Sequence, residues 1–202
     1  MTGIVLAGGK SQRMGEGKAS LKIGGKQVIE LILEKLRVAF DNVLIVGNSN
    51  FICPLSEERI LADIIAGKGP LGGIYTGLLS SRNEYSFFCA CDMPFLNIDL
   101  LKFIISEIDG SDAVIPMVRG FVEPLHAIYS KRCLPAIKNC LENEDLRIKS
   151  FFSKVKCKYI PENKIKRYDP SLLSFLNLNT PETVESVRNS GNYPEDDVES
   201  SK

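Results

Sequence analysis

The segment GIVLAGGKSQRMGEGK at residues 3–18 joins an apolar run to a loop rich in glycine and positive charge. Residues 3–7 have the continuous apolar pattern of a strand that is buried on both faces. Residues 6–18 hold four glycines and three cations. Glycine lets backbone N–H groups approach a ligand without a Cβ atom in the way. Because open α/β sheets bind ligands at the carboxyl ends of their strands, the segment predicts a strand followed by a phosphate-binding loop.

The cations of this loop suit phosphate oxygens in two different ways. The guanidinium of Arg13 can bond two oxygens at once, whereas Lys18 supplies a compact charge. A solvated basic loop is the alternative interpretation, and it explains the cations but not the four glycines beside them. The sequence therefore favours a loop that binds a triphosphate.

Two familiar phosphate motifs do not describe this loop. A P-loop would need a glycine at Gln12 and a hydroxyl at Ala19, on either side of Gly17-Lys18. The Rossmann spacing G-x-G-x-x-G occurs at residues 67–72, but it follows only a short apolar run at residues 59–62. Dinucleotide binding is therefore disfavoured.

A carboxylate stands at the end of another apolar run. Residues 86–91 predict a buried strand, and Asp92 follows it directly, so we expect Asp92 at the same edge of the sheet as the glycine loop. Mg²⁺ in such sites is commonly held by one or two carboxylates and the substrate phosphates. Asp92 is therefore the candidate metal ligand, and a simple turn ahead of a helix capped by Asn97 is the alternative.

Strand-like and helical patterns alternate along the chain. The predicted strands cover residues 3–7, 43–47, 59–62, 86–91, 113–116, 125–129, 154–160 and 174–178. The predicted helices cover residues 28–39, 71–81 and 131–141, a segment after Asn97 with Ile98, Leu101, Ile105 and Ile108 on one face, and a segment that opens at residues 180–182. This alternation predicts an α/β fold with three layers and a doubly wound, mostly parallel sheet.

Length and charge limit the classes of protein that the chain can represent. Its 202 residues suit one domain at residues 1–189, followed by an acidic tail at residues 190–202 that we expect to be disordered. Basic and acidic residues number 25 each, which argues against general attraction to nucleic acid or an anionic membrane. No apolar run approaches the roughly 20 residues of a membrane helix, and no signal peptide pattern is present, so we expect a cytoplasmic protein.

The six cysteines and the single histidine do not have the spacing of a metal site. The chain contains no C-x-x-C pair, so structural zinc is disfavoured and reduced thiols are expected. Cys89 and Cys91 fit small buried residues of a strand. His126 lies in the apolar run at residues 125–129, and we expect it to be a hydrogen-bonded core residue rather than a catalytic base.

Five sequence blocks in order carry a family resemblance. They are LAGGKSQRMGEGK (6–18), GPLGGI (69–74), CDMPFL (91–96), EPLHAIY (123–129) and LNTPE (178–182). Together they resemble the molybdenum cofactor guanylyltransferases, within the nucleotidyltransferases of the glycosyltransferase A type. The resemblance implies the Rossmann-like fold of those enzymes. It also implies transfer of GMP from GTP to the terminal phosphate of molybdenum-molybdopterin, with release of pyrophosphate.

The resemblance also implies roles for individual residues. The GTP-binding residues would be Leu6, Ala7, Gly8, Gly9, Ser11, Gly15, Lys18, Asn48, Asp63 and Asp92. Of these, Asn48 and Asp63 would lie on the guanosine side. Arg13, Lys18 and Asp92 are the predicted catalytic residues, and Asp92 would hold Mg²⁺ as the only metal ligand from the protein. Relatives that transfer CMP tend to carry LAAG where this chain has LAGG at residues 6–9, so guanine is favoured.

The second substrate is expected over the less regular half of the chain, near residues 123–125 and Arg147. Asn177 and Asn179 match a family asparagine pair to which we assign no role. Molybdoenzymes or cofactor-delivery proteins are possible protein partners, whereas nucleic acid and membranes are not expected.

Two alternatives to this function stay open at this point. One is a different nucleotidyltransferase, which would transfer CMP from CTP to molybdopterin or act on a sugar phosphate. The other is a non-catalytic GTP-binding accessory protein of molybdoenzyme maturation.

Overall fold

The computed structural model describes residues 1–7, 22–23, 25–47, 59–65 and 67–178. The strands are β1 (Thr2–Ala7), β2 (Lys22–Ile23), β3 (Lys26–Gln27), β4 (Asn42–Gly47), β5 (Arg59–Ala62), β6 (Tyr85–Ala90), β7 (Ala113–Val118), β8 (Phe121–Val122), β9 (His126–Ser130) and β10 (Cys157–Ile160). The α-helices are α1 (Val28–Ala39), α2 (Gly69–Ser80), α3 (Ile98–Ser106), α4 (Leu134–Glu142) and α5 (Glu162–Ile165).

The main sheet has the spatial order β10-β7-β9-β6-β1-β4-β5, with β8 paired to β7. β1 is parallel to β4 and β6, β4 is parallel to β5, and β7 is parallel to β10. β9 is antiparallel to both of its neighbours, β6 and β7. Since β6 and β7 both oppose β9, they run in the same direction. The six parallel strands therefore end along one side of the sheet, which we call the carboxyl edge.

Helices cover both faces of this sheet. Alternate residues of β1 show the division, because Ile4 belongs to the hydrophobic cluster that includes residues of α2 and α4, whereas Val5 belongs to the cluster that includes residues of α1 and α3. Both side chains are fully buried. A strand that is covered on both faces has no polar alternation, which explains the continuous apolar runs of the sequence. The predicted three-layer α/β fold with a mostly parallel sheet is confirmed.

The close contact between α2 and the sheet depends on a glycine. A Cβ atom at Gly77 would lie 2.7 Å from Cε1 of Phe88, closer than real Cβ contacts, and 3.0 Å from Cδ1 of Ile4, tighter than most of them. The absence of a side chain at Gly77 thus allows the helix to lie directly on β1 and β6. This approach carries the first turn of α2 towards the carboxyl edge.

The prediction for α3 is right about its cap and partly wrong about its buried face. The side chain of Asn97 accepts hydrogen bonds from the backbone N–H groups of Asp99 and Leu100 at 2.9 and 3.0 Å. The buried residues of the helix are Leu100, Leu101 and Ile104. Because α3 ends at Ser106 and also packs on α1, the buried face is displaced from the predicted stripe, of which only Leu101 is fully buried.

Several predicted elements have different bounds in the structure. Residues 131–141 form a 3₁₀ turn (Lys131–Cys133) followed by α4, whose first turn contains a proline that cannot donate a backbone hydrogen bond. The predicted strand at 154–160 begins only at Cys157, because Ile148–Lys154 forms a 3₁₀ helix. The predicted strand at 86–91 ends at Ala90, and Cys91 lies in the following turn.

The strand predicted at residues 174–178 is wrong. Leu173–Phe175 forms a 3₁₀ helix, and no strand follows it up to Leu178. The buried carboxylate of Asp169 explains the difference, since it accepts hydrogen bonds from the backbone N–H groups of Leu173 and Ser174 at 3.1 and 2.8 Å. Donors held in this local arrangement are not available to a sheet.

Other predictions concern cysteines, membranes and the end of the chain. In the part of the chain that the structure describes, the cysteines at 89, 91, 133, 140 and 157 form no disulfide bond. Among the described residues, no three side chains of the metal-binding types form a group, and no helix has both the length and the apolar character to cross a membrane. The helix predicted to open at 180–182 and the tail at 190–202 lie outside the described residues, and the domain bounds stay a prediction.

Candidate active site at the carboxyl edge

Four neighbouring strands end at the same level on the carboxyl edge. In the parallel ladders, Ala7 of β1 pairs with Gly47 of β4, and Gly47 pairs with Ala62 of β5. On the other side of β1, Leu6 pairs with Ala90 of β6. The segments that leave β1, β4, β5 and β6 therefore start side by side, which is the arrangement in which open α/β sheets bind ligands.

Asp92 is held close to the end of β1 through the backbone. The N–H of Cys91 donates to the carbonyl of Leu6 at 3.2 Å, which extends the β1–β6 ladder by one residue. The carbonyl of Asp92 accepts a hydrogen bond from the N–H of Leu178 at 2.9 Å. The carboxylate of Asp92 thus belongs to a turn that is fixed on both sides, and it is half-buried.

Asp63 occupies the corresponding position after β5. Its N–H donates to the carbonyl of Gly47 at 3.0 Å, so the residue continues the parallel ladder beyond β5. Its Oδ1 atom is buried and has no hydrogen-bond partner within the described ranges. This burial raises the pKa of the carboxyl above its ordinary value. A buried acceptor without a donor at a ligand-binding edge is a candidate for a hydrogen bond to a ligand.

Gly73 of α2 lies between Leu6 and Asp63, and apart from its place in the GPLGGI block nothing in the sequence indicates this role. A Cβ atom at Gly73 would lie 3.1 Å from Cδ2 of Leu6 and 3.7 Å from Oδ1 of Asp63. Leu6 and Asp63 therefore face the same point on α2. A Cβ atom at Gly73 would press on Leu6 and would stand in van der Waals contact with Asp63.

The structure places only part of the predicted site. It brings Leu6, Ala7, Asp63 and Asp92 to one edge of the sheet. The other predicted residues lie outside the described residues, and they are Gly8, Gly9, Ser11, Arg13, Gly15, Lys18 and Asn48. Their roles stay predictions.

The glycine-rich turn ahead of α2 has a structural role that fits its sequence. Gly67 and Gly69 have φ angles of +79° and +59°, which only glycine adopts without strain. Lys68, between them, makes an ion pair with Glu144 beyond the end of α4. The turn thus reverses the chain between Asp63 and α2.

The region expected for the second substrate also reaches the carboxyl edge. Glu123 lies between β8 and β9, and its carboxylate is half-buried. Arg147 is exposed, and its guanidinium makes two hydrogen bonds to the carboxylate of Asp145, at 2.9 and 3.1 Å. This ion pair holds the pKa of Asp145 below its ordinary value. Among the residues expected on this side, Glu123 is therefore the better placed for a ligand.

His126 is a core residue as expected, but the expectation of a hydrogen bond is wrong. The imidazole is fully buried, and neither ring nitrogen has a hydrogen-bond partner in the described part of the chain. The ring packs on Phe87 and Phe175, with centroid distances of 5.1 and 4.6 Å. Burial lowers the pKa of His126 to about 3, so the imidazole is neutral near pH 7.

Comparisons with known proteins agree with this geometry. A family model described as a MobA-like NTP transferase domain matches residues 3–157. A probable molybdenum cofactor guanylyltransferase of Natranaerobius thermophilus is 39% identical over 194 residues, which cover 93% of this chain and 95% of the relative. A molybdenum cofactor guanylyltransferase of Desulfosudis oleivorans is 39% identical over 190 residues, covering 93% and 94% of the two chains.

Solved structures give the same result for the fold. The crystal structure of molybdopterin-guanine dinucleotide biosynthesis protein A from Archaeoglobus fulgidus superposes with a TM-score of 0.82 and 27% sequence identity, and the match covers 94% of this chain and 98% of that one. A cytidylyltransferase from Thermus thermophilus, 2-C-methyl-D-erythritol 4-phosphate cytidylyltransferase, superposes with a TM-score of 0.66 at 13% identity over 93% of this chain and 97% of that one. At that identity the second likeness concerns the fold alone.

Proposed function

The chain belongs to the MobA-like NTP transferase family, and from this premise we propose that it transfers GMP from GTP to the terminal phosphate of molybdenum-molybdopterin. The products are molybdopterin guanine dinucleotide and pyrophosphate. The observation that carries the proposal is the convergence of Leu6, Asp63 and Asp92 at one edge of a mostly parallel sheet. Relatives named as guanylyltransferases match more than nine-tenths of the chain, which supports guanine as the base.

The proposal gives the described residues distinct roles towards GTP. Leu6 and Ala7 contact the nucleotide at the end of β1, and the unpartnered Oδ1 of Asp63 accepts a hydrogen bond on the guanosine side. The glycine loop that follows Ala7 surrounds the triphosphate, with Arg13 and Lys18 as its counter-charges. Asn48, which follows Gly47 in the sequence, is proposed to bind on the guanosine side together with Asp63.

A divalent metal ion, which we propose to be Mg²⁺, fits the donors at this edge. No cluster of three acidic, histidine or cysteine side chains exists within the described ranges, so a site made only by described protein ligands is not supported. A single carboxylate, that of Asp92, suits a Mg²⁺ ion whose other ligands are phosphate oxygens and water. When bound, such an ion neutralises negative charge on the phosphates.

The reaction requires no nucleophile from the protein. The terminal phosphate of molybdopterin attacks the α-phosphorus of GTP in line. A new P–O bond forms there while the bond to the β-phosphate breaks and pyrophosphate leaves. A phosphate nucleophile is already ionised near pH 7, and the buried neutral His126 is not needed as a base. The task of this chain is to hold two anions together and to oppose the charge that develops in the transition state, through Arg13, Lys18 and backbone N–H groups of the loop.

The same proposal covers location and partners. We propose a cytoplasmic enzyme, because its proposed substrates are soluble phosphates. Molybdoenzymes or cofactor-delivery proteins would receive the product.

Product formation tests the proposal directly. We expect the protein to release pyrophosphate from GTP only when Mg²⁺ and molybdenum-molybdopterin are both present, and to form the guanine dinucleotide in equal amount. CTP in place of GTP is the matched control, and it should support less than about one-tenth of the rate, as expected when hydrogen bonds that read the base are lost. Equal turnover with CTP would contradict guanylyl transfer. Tight GTP binding without any pyrophosphate release would favour the accessory-protein alternative.

Lys18→Ala tests the loop. We expect weaker GTP binding and slower turnover together, each by roughly tenfold or more, because a charge-assisted contact to phosphate is worth about 1.5–3 kcal/mol. Lys26→Ala is the matched control, since Lys26 is an exposed lysine of the nearby hairpin that pairs with Glu34. Calorimetry with GTP and steady-state kinetics measure the two effects. If both variants behave like the unaltered protein, Lys18 does not bind the triphosphate.

A further inference from the structure

The hairpin of β7 and β8 carries an exposed aromatic ring and a carboxylate on one side of a strand. Val118 pairs with Phe121, and the antiparallel ladder continues to Glu123, whose N–H donates to the carbonyl of Pro116 at 2.9 Å. Phe121 and Glu123 are two residues apart on this extended segment, so their side chains project to the same side. Phe121 is 66% exposed, although its side chain is large and apolar.

The sheet order places this pair on the far side of Asp92 from Asp63. Asp92 lies three residues beyond Cys89, and Glu123 lies three residues before His126, the residue that pairs with Cys89. At about 3.8 Å per residue, both are within roughly 11 Å of the same point in the ladder. Asp63 follows β5, the edge strand on the other side of β6 from β7, β8 and β9. A nucleotide base at Asp63 and a second substrate at Glu123 would therefore meet near Asp92.

Hydrogen bonds hold the backbone at Glu123 and at the next residue, Pro124. The carbonyl of Glu123 accepts a hydrogen bond from the N–H of His126 at 3.2 Å. The carbonyl of Pro124 accepts one from the hydroxyl of Tyr129 at 2.8 Å, and the Tyr129 ring is fully buried. A carboxylate carried by such a turn is preorganised for a ligand.

The carboxylate of Glu123 is half-buried and accepts no hydrogen bond from the described residues. It also makes no ion pair with them. Burial raises the pKa of this carboxyl group. Lys149 and Arg119 act on it only through their charges and oppose that rise. The ammonium of Lys149 lies 6.0 Å from the centre of the Phe121 ring, so the same cation adjoins both members of the pair. A half-buried acceptor of this kind gains most from a ligand that supplies N–H groups.

We propose that Glu123 binds the 2-amino-4-oxopyrimidine edge of the pterin in the second substrate, while the Phe121 ring packs on the pterin plane. This assignment rests on the proposed function. The ring N–H and the adjacent exocyclic amino group of a pterin are two parallel donors that match the two carboxylate oxygens. The flat heterocycle suits an exposed phenyl ring. Glu123 would thereby select pterins over pteridines that lack the 2-amino group.

Two small probes test this selection without the complete reaction. The probes are 6-hydroxymethylpterin and 6-hydroxymethyllumazine, which carries an oxygen in place of the 2-amino group. Their affinities for the full chain are measured by the change in probe fluorescence. We expect the unaltered protein to bind the pterin at least tenfold more tightly, as one matched pair of charge-assisted hydrogen bonds implies. Glu123→Gln should lose most of this preference, and Phe121→Ala should weaken both probes equally. Glu142→Gln, at an exposed glutamate of α4, is the matched control.

The outcomes separate this assignment from the proposed function. The role of Glu123 is overturned if the unaltered protein binds both probes equally, a result that needs no variant. It is also overturned if a folded Glu123→Gln variant keeps the preference for the pterin. A parallel assay of pyrophosphate release from GTP and molybdenum-molybdopterin tests the proposed function separately. If that assay is positive, Glu123→Gln should raise KM for molybdopterin at least tenfold and leave KM for GTP unchanged. If the release assay is negative while the preference for the pterin probe is present, guanylyl transfer is contradicted and the assignment of the pterin site is supported.

Discussion

Asp92→Asn is expected to reduce guanylyl transfer by a factor on the order of 10²–10³, comparable to the removal of one preorganised electrostatic contact in other active sites. The substitution keeps the size of the side chain and removes its negative charge. Without that charge the proposed Mg²⁺ ion loses its protein ligand, and the negative charge that grows on the phosphates is opposed less strongly. Pyrophosphate release at saturating GTP measures the effect.

The control for this variant must separate charge from folding. Asp99→Asn is suitable, because Asp99 is an exposed aspartate in the first turn of the neighbouring α3, with a side chain that is 77% exposed. We expect the Asp99 variant to turn over normally. The backbone carbonyl that accepts the Leu178 hydrogen bond is retained in Asp92→Asn, and the melting temperatures of the two variants show whether either substitution disturbs folding. Near-normal turnover of Asp92→Asn would remove Asp92 from the site.

The second large effect concerns stability in acid. His126 is the single histidine of the chain, and its pKa is lowered by burial to about 3. In the unfolded chain the same side chain has a pKa near 6.5. As the pH falls below about 6.5, the unfolded chain therefore takes up a proton that the folded chain does not. The free energy of unfolding should decrease by about 1 kcal/mol per pH unit, or about 2–3 kcal/mol between pH 6.5 and 4.5.

Replacement of the imidazole tests this directly. His126→Phe and His126→Leu keep an apolar side chain against Phe87 and Phe175 but cannot titrate. Urea unfolding of the three proteins over this pH range gives the comparison, and its readout is the slope with pH rather than the absolute stability. We expect the free energy of unfolding of both variants to change little with pH in the upper part of this range, where carboxylates do not titrate. Slopes parallel to that of the unaltered protein would contradict a neutral, buried His126.

The parts of the fold that were predicted from sequence are those with a local signal. The apolar run at residues 3–7, the helical spacing at 28–39 and the capping side chain of Asn97 each specify their element through near neighbours in the chain, and all three are present. The antiparallel direction of β9 has no such signal. It depends on pairing with β6 and β7, which are distant in sequence, and a continuous apolar run is compatible with either direction.

The same distinction applies to the site and to the segment near Leu178. The place of Asp92 after a buried strand followed from the sequence, whereas the contact of Gly73 with Leu6 and Asp63 results from the packing of α2. Residues 174–178 have an apolar pattern that suits a strand, but the carboxylate of Asp169 takes up the donors that a strand would use. Short-range hydrogen bonds from the Asp169 side chain thus prevail over the strand propensity of this segment.

The hydrogen bond between Leu178 and Asp92 has a consequence during biosynthesis. At about 5–20 residues per second, a ribosome needs on the order of 4–17 s to extend the nascent chain from Asp92 to Leu178. For that interval the sheet strands β1, β4, β5 and β6 are already made, but the turn that carries Asp92 lacks its partner. The turn that carries Asp92 is thus completed only late in translation, and a nascent chain released before Leu178 would lack the contact that secures it.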